Sequence, residues 1–373
     1  MKKLVFLVRL SVILLPSLVY AQANGKLQIH FMDVGQGDGA ILISPNGETV
    51  LFDDGVLKHC DKPVAYLEGL GITRIDYHIT SHYHSDHIGC ASQVLQEFPL
   101  QKDALDRGGS YDSAVYESYV NAVGSHRKTA TEGMTVTLDS GSAHPVIIKV
   151  VALNGNGIHS DDENDLSLDA VVQFGEFKGE IGGDLSGFNT DRYKDIESSV
   201  APKVGRIDVY KVHHHGSSHS TNPRWLHTTT PKVAVISCGD GNSYGHPTQE
   251  TIEALHKAGV MTYWTETGNG VPPEPGRDIV GGTIVVQVPA DSKNYTVTYN
   301  GNQTDTYSVW GGVTTAASNG GQPAMPTATQ TYWWSKNSKV YHFANCRYVR
   351  QTENWEHGNT PPQGRTLHAG CPQ

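Results

Sequence analysis

The chain has 373 residues, 38% of them hydrophobic and 18% charged, with 40 glycines and a formal net charge of −10. That length accommodates one large domain and a small one, and the composition is that of a polar, loop-rich globular protein. The acid excess argues against a protein that grips nucleic acid through a broad basic face; any such grip has to be local or supplied by metal ions.

Residues 1–21 read as a secretory signal peptide: Lys2 and Lys3 form a basic start, Leu4 to Leu18 is mostly apolar despite Arg9, and Val19-Tyr20-Ala21 fits a cleavage site. The apolar run is too short for a comfortable membrane span. No later stretch could cross a bilayer, so the mature protein is expected to be exported, periplasmic or secreted. Five cysteines are present. Export permits disulfides, and the odd count leaves at least one thiol unpaired within the chain. Cys346 with Cys371 is the favoured pair, because both lie in the C-terminal segment; Cys60 with Cys90 is the weaker one. Cys238 ends the apolar run Val233-Ala234-Val235-Ile236-Ser237 and reads as a buried free thiol.

In chain order, Leu27 to Phe31 alternates as a first strand. A glycine-rich turn from Met32 to Ala40 leads into a second strand through Ile43. Pro45-Asn46-Gly47 is a hairpin turn before a third strand, Thr49 to Asp54. Residues 61–71 read as a helix. Ile75 to Thr80 reads as a buried strand and Ile88 to Leu95 as a helix, which places Ser81-His82-Tyr83-His84-Ser85-Asp86-His87 on the loop between them. Residues two apart in an extended loop point the same way, so His82 and His84 can share one ion while Asp86 and His87 turn toward a second. Imidazole and carboxylate are the ligands of zinc and similar divalent ions, and two-metal sites hold their ions about 3.5–4 Å apart. Residues 100–130 read as irregular and polar, with Tyr111, Tyr116 and Tyr119 loosely spaced. Strands are expected at Met134 to Leu138, Val146 to Val151, Ala170 to Phe174, up to Leu185, at Ile207 to Val212 and at Pro231 to Ser237. A helix from Thr248 to Ala258 and three closing strands follow, the last ending at Tyr299.

His-x-His-x-Asp-His after a buried strand resembles the motif of the metallo-β-lactamase superfamily, which implies an α/β, four-layer αββα sandwich and a metal-dependent hydrolase. Asp33-Val34-Gly35-Gln36-Gly37-Asp38 narrows the likeness to the hydrolase domain of ComEC-type DNA-uptake proteins, in a free-standing exported form. The resemblance covers roughly residues 27–300. It implies that Asp53 holds the ligand loop by hydrogen bonds, with Asp38 at the same edge. It implies that Asp184, in Gly-Asp, bridges two ions, and that His214 to Ser217 match a His-His-Gly-Ser element. One of His214 and His215 then completes the second ion's ligands and the other faces substrate; His213 could shift that register. Ser217 and Ser218 would bind a substrate oxygen. Asn164 and Ser167 match an Asn-x-x-Ser element that stands where many superfamily members carry another histidine ligand. Asn164 would ligate through its amide oxygen or bind substrate. Asn242 and Tyr244-Gly245-His246-Pro247 match an Asn-x-Tyr-Gly-His-Pro element, in which His246 could protonate a leaving group or steady a phosphate oxygen. In such a fold residues 100–130 would overhang the site.

The implied cofactors are two divalent ions. Zinc is the default from the ligands, and manganese is suited by the oxygen donor at Asn164. The domain organisation expected is a signal peptide at 1–21, a hydrolase domain at 22–300, a Gly/Ser/Thr-rich flexible linker at 301–330, and a small module at 331–373. Two Cys and two His there allow a disulfide or a zinc staple, and the module would bind a surface or polymer. The leading functional expectation is a hydrolase that activates a bridging water or hydroxide between two ions and cleaves phosphodiesters, including extracellular nucleic acid, with Asp86 orienting the water. A phosphocholine esterase would instead want an aromatic cage, drawn from Tyr111, Tyr116, Tyr119 and Trp264. A lactam or lactone hydrolase, and a binding protein on a retained hydrolase scaffold, are the other readings.

Overall fold

A computed structural model describes residues 23–310 in full, together with the strands Tyr332–Ser335, Val340–Phe343, Trp355–Gly358 and Thr366–Leu367. The expected signal peptide, most of the linker, Cys346, Cys371 and His368 lie outside the described residues. The chain divides into one unit up to Thr314 and a second from Thr315. In the second unit the four strands form one sheet, ordered Trp355–Gly358, Tyr332–Ser335, Val340–Phe343, Thr366–Leu367.

The first unit is built on two mixed sheets. One has nine strands, in the order Gln303–Ser308, Asn294–Tyr299, Ile284–Pro289, Lys26–Phe31, Gly39–Ile43, Thr49–Asp54, Tyr77–Ile79, Ala104–Asp106, Arg127–Thr129. The other has eight, in the order Asp278–Val280, Met261–Trp264, Val233–Ile236, Val209–Lys211, Phe177–Ile181, Asp169–Phe174, Val146–Ala152, Thr135–Leu138. Inner strands such as Thr49–Asp54 and Val233–Ile236 are buried along their whole length because neither face meets water, whereas others, such as Val146–Ala152 and Ile284–Pro289, alternate. Leu27, Ile29 and Phe31 of one sheet meet Val172, Val209 and Val235 of the other in a shared core. The outer face of the nine-stranded sheet is covered by the helices Asp61–Gly69, Ala91–Glu97 and Ala114–Val123, through Leu67, Val94 and Tyr119. The outer face of the other is covered by Glu197–Val204, Pro223–Thr229 and Gln249–Lys257, through Val200, Trp225 and Leu255. This is the expected αββα sandwich.

Two readings need correction. Residues 100–130 are ordered, with two strands flanking the helix Ala114–Val123. Tyr116, Tyr119 and Val123, three and four apart, form its buried stripe, and Ser113 caps it by accepting from the Tyr116 N–H. Polar residues between those positions hid the period. The linker does not begin at residue 301: Gln303–Ser308 pairs antiparallel with Asn294–Tyr299. Beyond that strand, the Trp310 indole donates to the Ile207 carbonyl at 2.8 Å and its backbone N–H to Asp208 at 2.8 Å. Among the described cysteines, Cys60 and Cys90 form the disulfide and Cys238 is the buried free thiol. That pair was the weaker of the two expected, and the fold explains it, since Cys60 precedes one outer helix and Cys90 the next; the other expected pair, Cys346 with Cys371, lies outside the described residues.

Closing a loop of 30 residues' separation restricts the unfolded chain enough to stabilise the fold by about 3–4 kcal/mol in the chain-entropy description. A Cys60→Ser/Cys90→Ser double variant is expected to lose about 2–4 kcal/mol in urea unfolding. An unchanged midpoint would show that the bridge adds nothing beyond the surrounding core.

Candidate metal centre

The residues of interest leave the carboxyl ends of neighbouring parallel strands, where open α/β sheets place their binding crevices. Tyr77–Ile79 feeds the histidine loop, Phe177–Ile181 leads to Asp184, Val209–Lys211 to His213, His214 and His215, and Val233–Ile236 to the turn holding His246. Two sheets thus contribute to one crevice.

Asp184 lies at its centre, buried and surrounded by imidazoles. Its Oδ2 is 3.9 Å from His82 Nε2, 3.8 Å from His214 Nε2 and 3.6 Å from His215 Nε2, and its Oδ1 is 3.4 Å from His87 Nε2. On one side, His82 Nε2 and His84 Nδ1 face each other at 3.0 Å, and the Asn164 amide reaches His214 Nε2 at 3.3 Å. On the other, His215 Nε2 lies 3.2 Å from Asp86 Oδ2, with His87 adjoining. The two groups meet at Asp184. His214 belongs to the first and His215 to the second. His213 belongs to neither: its ring is fully buried between Glu180 and Glu197.

The donor atoms fit divalent ions. His87 Nε2, His215 Nε2, Asp184 Oδ1 and Asn164 Oδ1 are buried with no hydrogen-bond partner, although buried polar atoms are almost always satisfied. Their outward nitrogens are occupied. Asp53 Oδ2 accepts from His87 Nδ1 at 2.8 Å and from the Ser81 hydroxyl at 2.7 Å, while its Oδ1 accepts from the Ser81 N–H at 2.8 Å. His215 Nδ1 donates to the Ser237 carbonyl at 3.0 Å, with Asp38 Oδ1 at 3.3 Å. Such bonds fix the tautomer and aim the free nitrogen inward. Asp53 takes a φ of 53° and His214 and His215 φ of 50° and 54°, a sparsely populated region for such residues. Gly183 lets Asp184 approach, since a Cβ there would come within 2.7 Å of Ser81 and Ser167.

Asp38 and Asn242 hold the frame. Asp38 is salt-bridged to buried Lys211 and lies at the Nδ1 edges of His87 and His215. The Asn242 amide donates to the Gly239 and His246 carbonyls and accepts from the Tyr244 and His246 N–H groups. Asn242, expected to touch substrate or support the site, has both ends of its amide engaged in its own turn. Ser217 is buried at the crevice, its hydroxyl accepting from the His219 N–H at 3.3 Å. Two supports were missed in the sequence. Lys211 was visible as a lone charge in a buried strand. Glu163 accepts from the Tyr83 N–H at 2.9 Å and Arg107 Nε at 2.8 Å, and only the fold brings these together. Tyr111, Arg192, Tyr193 and Tyr244 line the mouth. Tyr116, Tyr119 and Trp264 do not reach it, being buried in the cores.

Electrostatics follow from this crowding. Burial alone would raise Asp184, Asp86 and Asp38, but neighbouring imidazoles, and Lys211 beside Asp38, outweigh it and hold all three low. Burial would lower His87 and His215, yet Asp184 with Asp53 raises the former well above its usual range, and Asp184 with Asp38 raises the latter to about 10. Burial lowers His82 well below its usual value, His214 to about 4 and, with the charge of His215, His246 to about 3. His246 is therefore neutral at pH 7, which opposes its expected role as a proton donor.

Two consequences are measurable. Metal binding needs the Nε2 lone pairs of His87 and His215, which carry protons at neutral pH in the metal-free protein. Loading chelator-stripped protein at pH 7 should release about two protons, and affinity should rise with pH toward 10. Calorimetry in buffers of different ionisation enthalpy would read this, and zero proton release would refute it. In the metal-free protein, the raised His215 value contributes stability that is complete below about pH 6.5 and lost as pH climbs through about 10. Separately, Lys211→Met leaves Asp38 buried without its cation and should cost about 3–5 kcal/mol, much of it recovered in Lys211→Met/Asp38→Asn. A single variant as stable as wild type would contradict the pairing.

Comparison with known proteins agrees with this geometry. ComE operon protein 3 of Bacillus subtilis is 24% identical over 301 residues, covering 75% of this chain and 37% of that protein. Recombination protein 2 of Haemophilus influenzae is 29% identical over 235 residues, covering 62% and 26% respectively. Both are ComEC-type competence proteins, and the chain spans well under half the length of either. A motif mutant of the metallo-β-lactamase of Cronobacter sakazakii is 16% identical, with a TM-score of 0.35 over 49% of this chain and 75% of that one. The model of the metallo-β-lactamase superfamily matches residues 39–242 of the 373, and the chain belongs to that superfamily.

Proposed function

We propose that the chain is a two-metal phosphodiesterase, acting on nucleic acid or a related phosphodiester. The observation that carries this reading is Asp184, one carboxylate within 3.9 Å of four imidazoles that divide into two ligand groups. His82, His84, Asn164 and His214 would serve the first ion. Asp86, His87 and His215 would serve the second, and Asp184 both. Ions so held would polarise a phosphoryl oxygen and lower the pKa of a water between them.

The chain's own residues supply the rest. Asp86, partly exposed and ionised, is placed to accept a proton from the attacking water. Neutral His246, its Nδ1 unpartnered, can hydrogen-bond a substrate oxygen. Tyr111, Tyr193 and Tyr244 offer flat faces at the mouth, and stacking on such faces binds bases without a basic groove, which suits a net charge of −10. The names of the relatives, a competence operon product and a recombination protein, support nucleic acid as the substrate class. The Cys60–Cys90 bridge supports an oxidising compartment, in line with export. The same tyrosines could surround a quaternary ammonium, which keeps a phosphocholine ester as the second reading.

The test is a panel assayed on protein purified without chelator and with counted metal: bis-p-nitrophenyl phosphate, linear DNA, p-nitrophenyl phosphocholine and a chromogenic lactam, with Asp184→Asn alongside. Diester and DNA cleavage falling at least about 100-fold in the variant is expected. Turnover of phosphocholine or lactam alone would move the assignment to that substrate. A protein inert after zinc and manganese are restored would end the enzyme reading.

A further inference from the structure

A second cluster of metal-ligating side chains lies on the helix-covered face of the eight-stranded sheet. Asp169 opens the strand Asp169–Phe174, Glu180 stands near the end of the adjacent strand Phe177–Ile181, and His213 follows Val209–Lys211. All three are 0% exposed, and one ligand atom from each lies within 4.8 Å of the others. His213 Nε2 is 3.1 Å from Glu180 Oε1, and its Nδ1 is 2.8 Å from Glu197 Oε1. Glu197 is held in turn by the N–H groups of Thr221 and Asn222 at 2.6 and 2.7 Å. The ring packs on Trp225 and Tyr210, with centroids 4.7 and 5.2 Å away, which encloses the cluster on that side.

Its charges do not balance. Both oxygens of Asp169 and Oε2 of Glu180 have no hydrogen-bond partner. Among the described residues no Lys or Arg pairs with Asp169, Glu180 or Glu197; the one basic group in reach is His213. Sealed carboxylates without partners are strongly unfavourable. A divalent cation would bind the bare oxygens and, with His213 neutral, offset two of the three carboxylate charges. Two carboxylates plus an imidazole backed by a third carboxylate is a donor set of the kind zinc and manganese take. Space is kept by Gly182, where a Cβ would come 2.7 Å from Glu180 Oε1 and 2.8 Å from His213 Nε2.

We propose that Asp169, Glu180 and His213 form a third, structural site for a divalent cation of the zinc or manganese type, distinct from the two ions assigned to Asp184. The ion would lock the His213 ring, and with it the turn in which His214 and His215 hold positive φ. The competing state is a proton shared between Asp169 and Glu180; burial and the neighbouring Glu180 carboxylate push Asp169 well above the usual carboxylate range.

The experiment is anomalous diffraction from crystals of the full chain saturated with zinc, and separately with manganese, on both sides of each absorption edge. An anomalous peak bounded by Asp169, Glu180 and His213 is expected, apart from any peak at Asp184. Asp169→Asn should lose that peak, and one ion per chain by elemental analysis, while the ions at Asp184 remain. An ion in the C-terminal Cys/His module would raise the count but would not produce this peak. Crystals with metal at Asp184 and none behind it would overturn the proposal in favour of the shared proton. If Asp169→Asn does not fold, the wild-type map still decides. Because the readout is position, the result is independent of the substrate assigned to the enzyme.

Discussion

The structure depends on placing Asp184, an ionised carboxylate, at the floor of a crevice where it is almost wholly buried. A sealed carboxylate is tolerable only beside compensating positive charge, and four imidazoles within 3.9 Å supply the setting for it. In the metal-free protein, protons on His87 and His215 provide that charge. Divalent ions would replace them. The outer carboxylates Asp53 and Asp38 are aligned for either state, because they bind Nδ1 and leave Nε2 pointing at Asp184.

That arrangement explains why the surrounding backbone is strained. Asp53, His214 and His215 adopt positive φ, a region that Asp and His enter more readily than most residues but still sparsely. The compensation comes from elsewhere: the two sheets clamp the loops from below, Ser81 and Ser167 hydroxyls fasten them, and Lys211 neutralises Asp38 from the sandwich interior. The crevice is therefore preorganised by the hydrophobic sandwich, with Tyr244 exposed at its mouth.

Much was legible along the chain. Strands buried on both faces are read from their continuous apolar runs, and closely spaced histidines reveal their chemistry through spacing alone, since side chains two apart in an extended loop share a direction. In three dimensions His82 and His84 face each other at 3.0 Å, and Asp86 faces His215 at 3.2 Å. The helix Ala114–Val123 was hidden, because its buried stripe is built of tyrosines separated by polar residues. The strand Gln303–Ser308 was hidden for a related reason: it is an edge strand of polar residues, ordered by its neighbour and not by its own pattern.

The sequence by itself determined the residue types of the centre and most strands, because those reside in local spacing and periodicity; the superfamily and the αββα class followed from the resemblance of its motifs to a known family. Tertiary structure decided what depends on distance between remote segments. It assigned His215 to the Asp86 group and His214 to the Asn164 side, turned His213 away toward Glu180 and Glu197, and paired Cys60 with Cys90. It also engaged Asn242 within its own turn. The physical reason is common to all of these. A side chain's partner is set by which strand ends the sheet order brings together, and no local pattern encodes how Asp169, Glu180 and His213 meet on one face of the eight-stranded sheet, or how Asp38 and Lys211 meet across the sandwich.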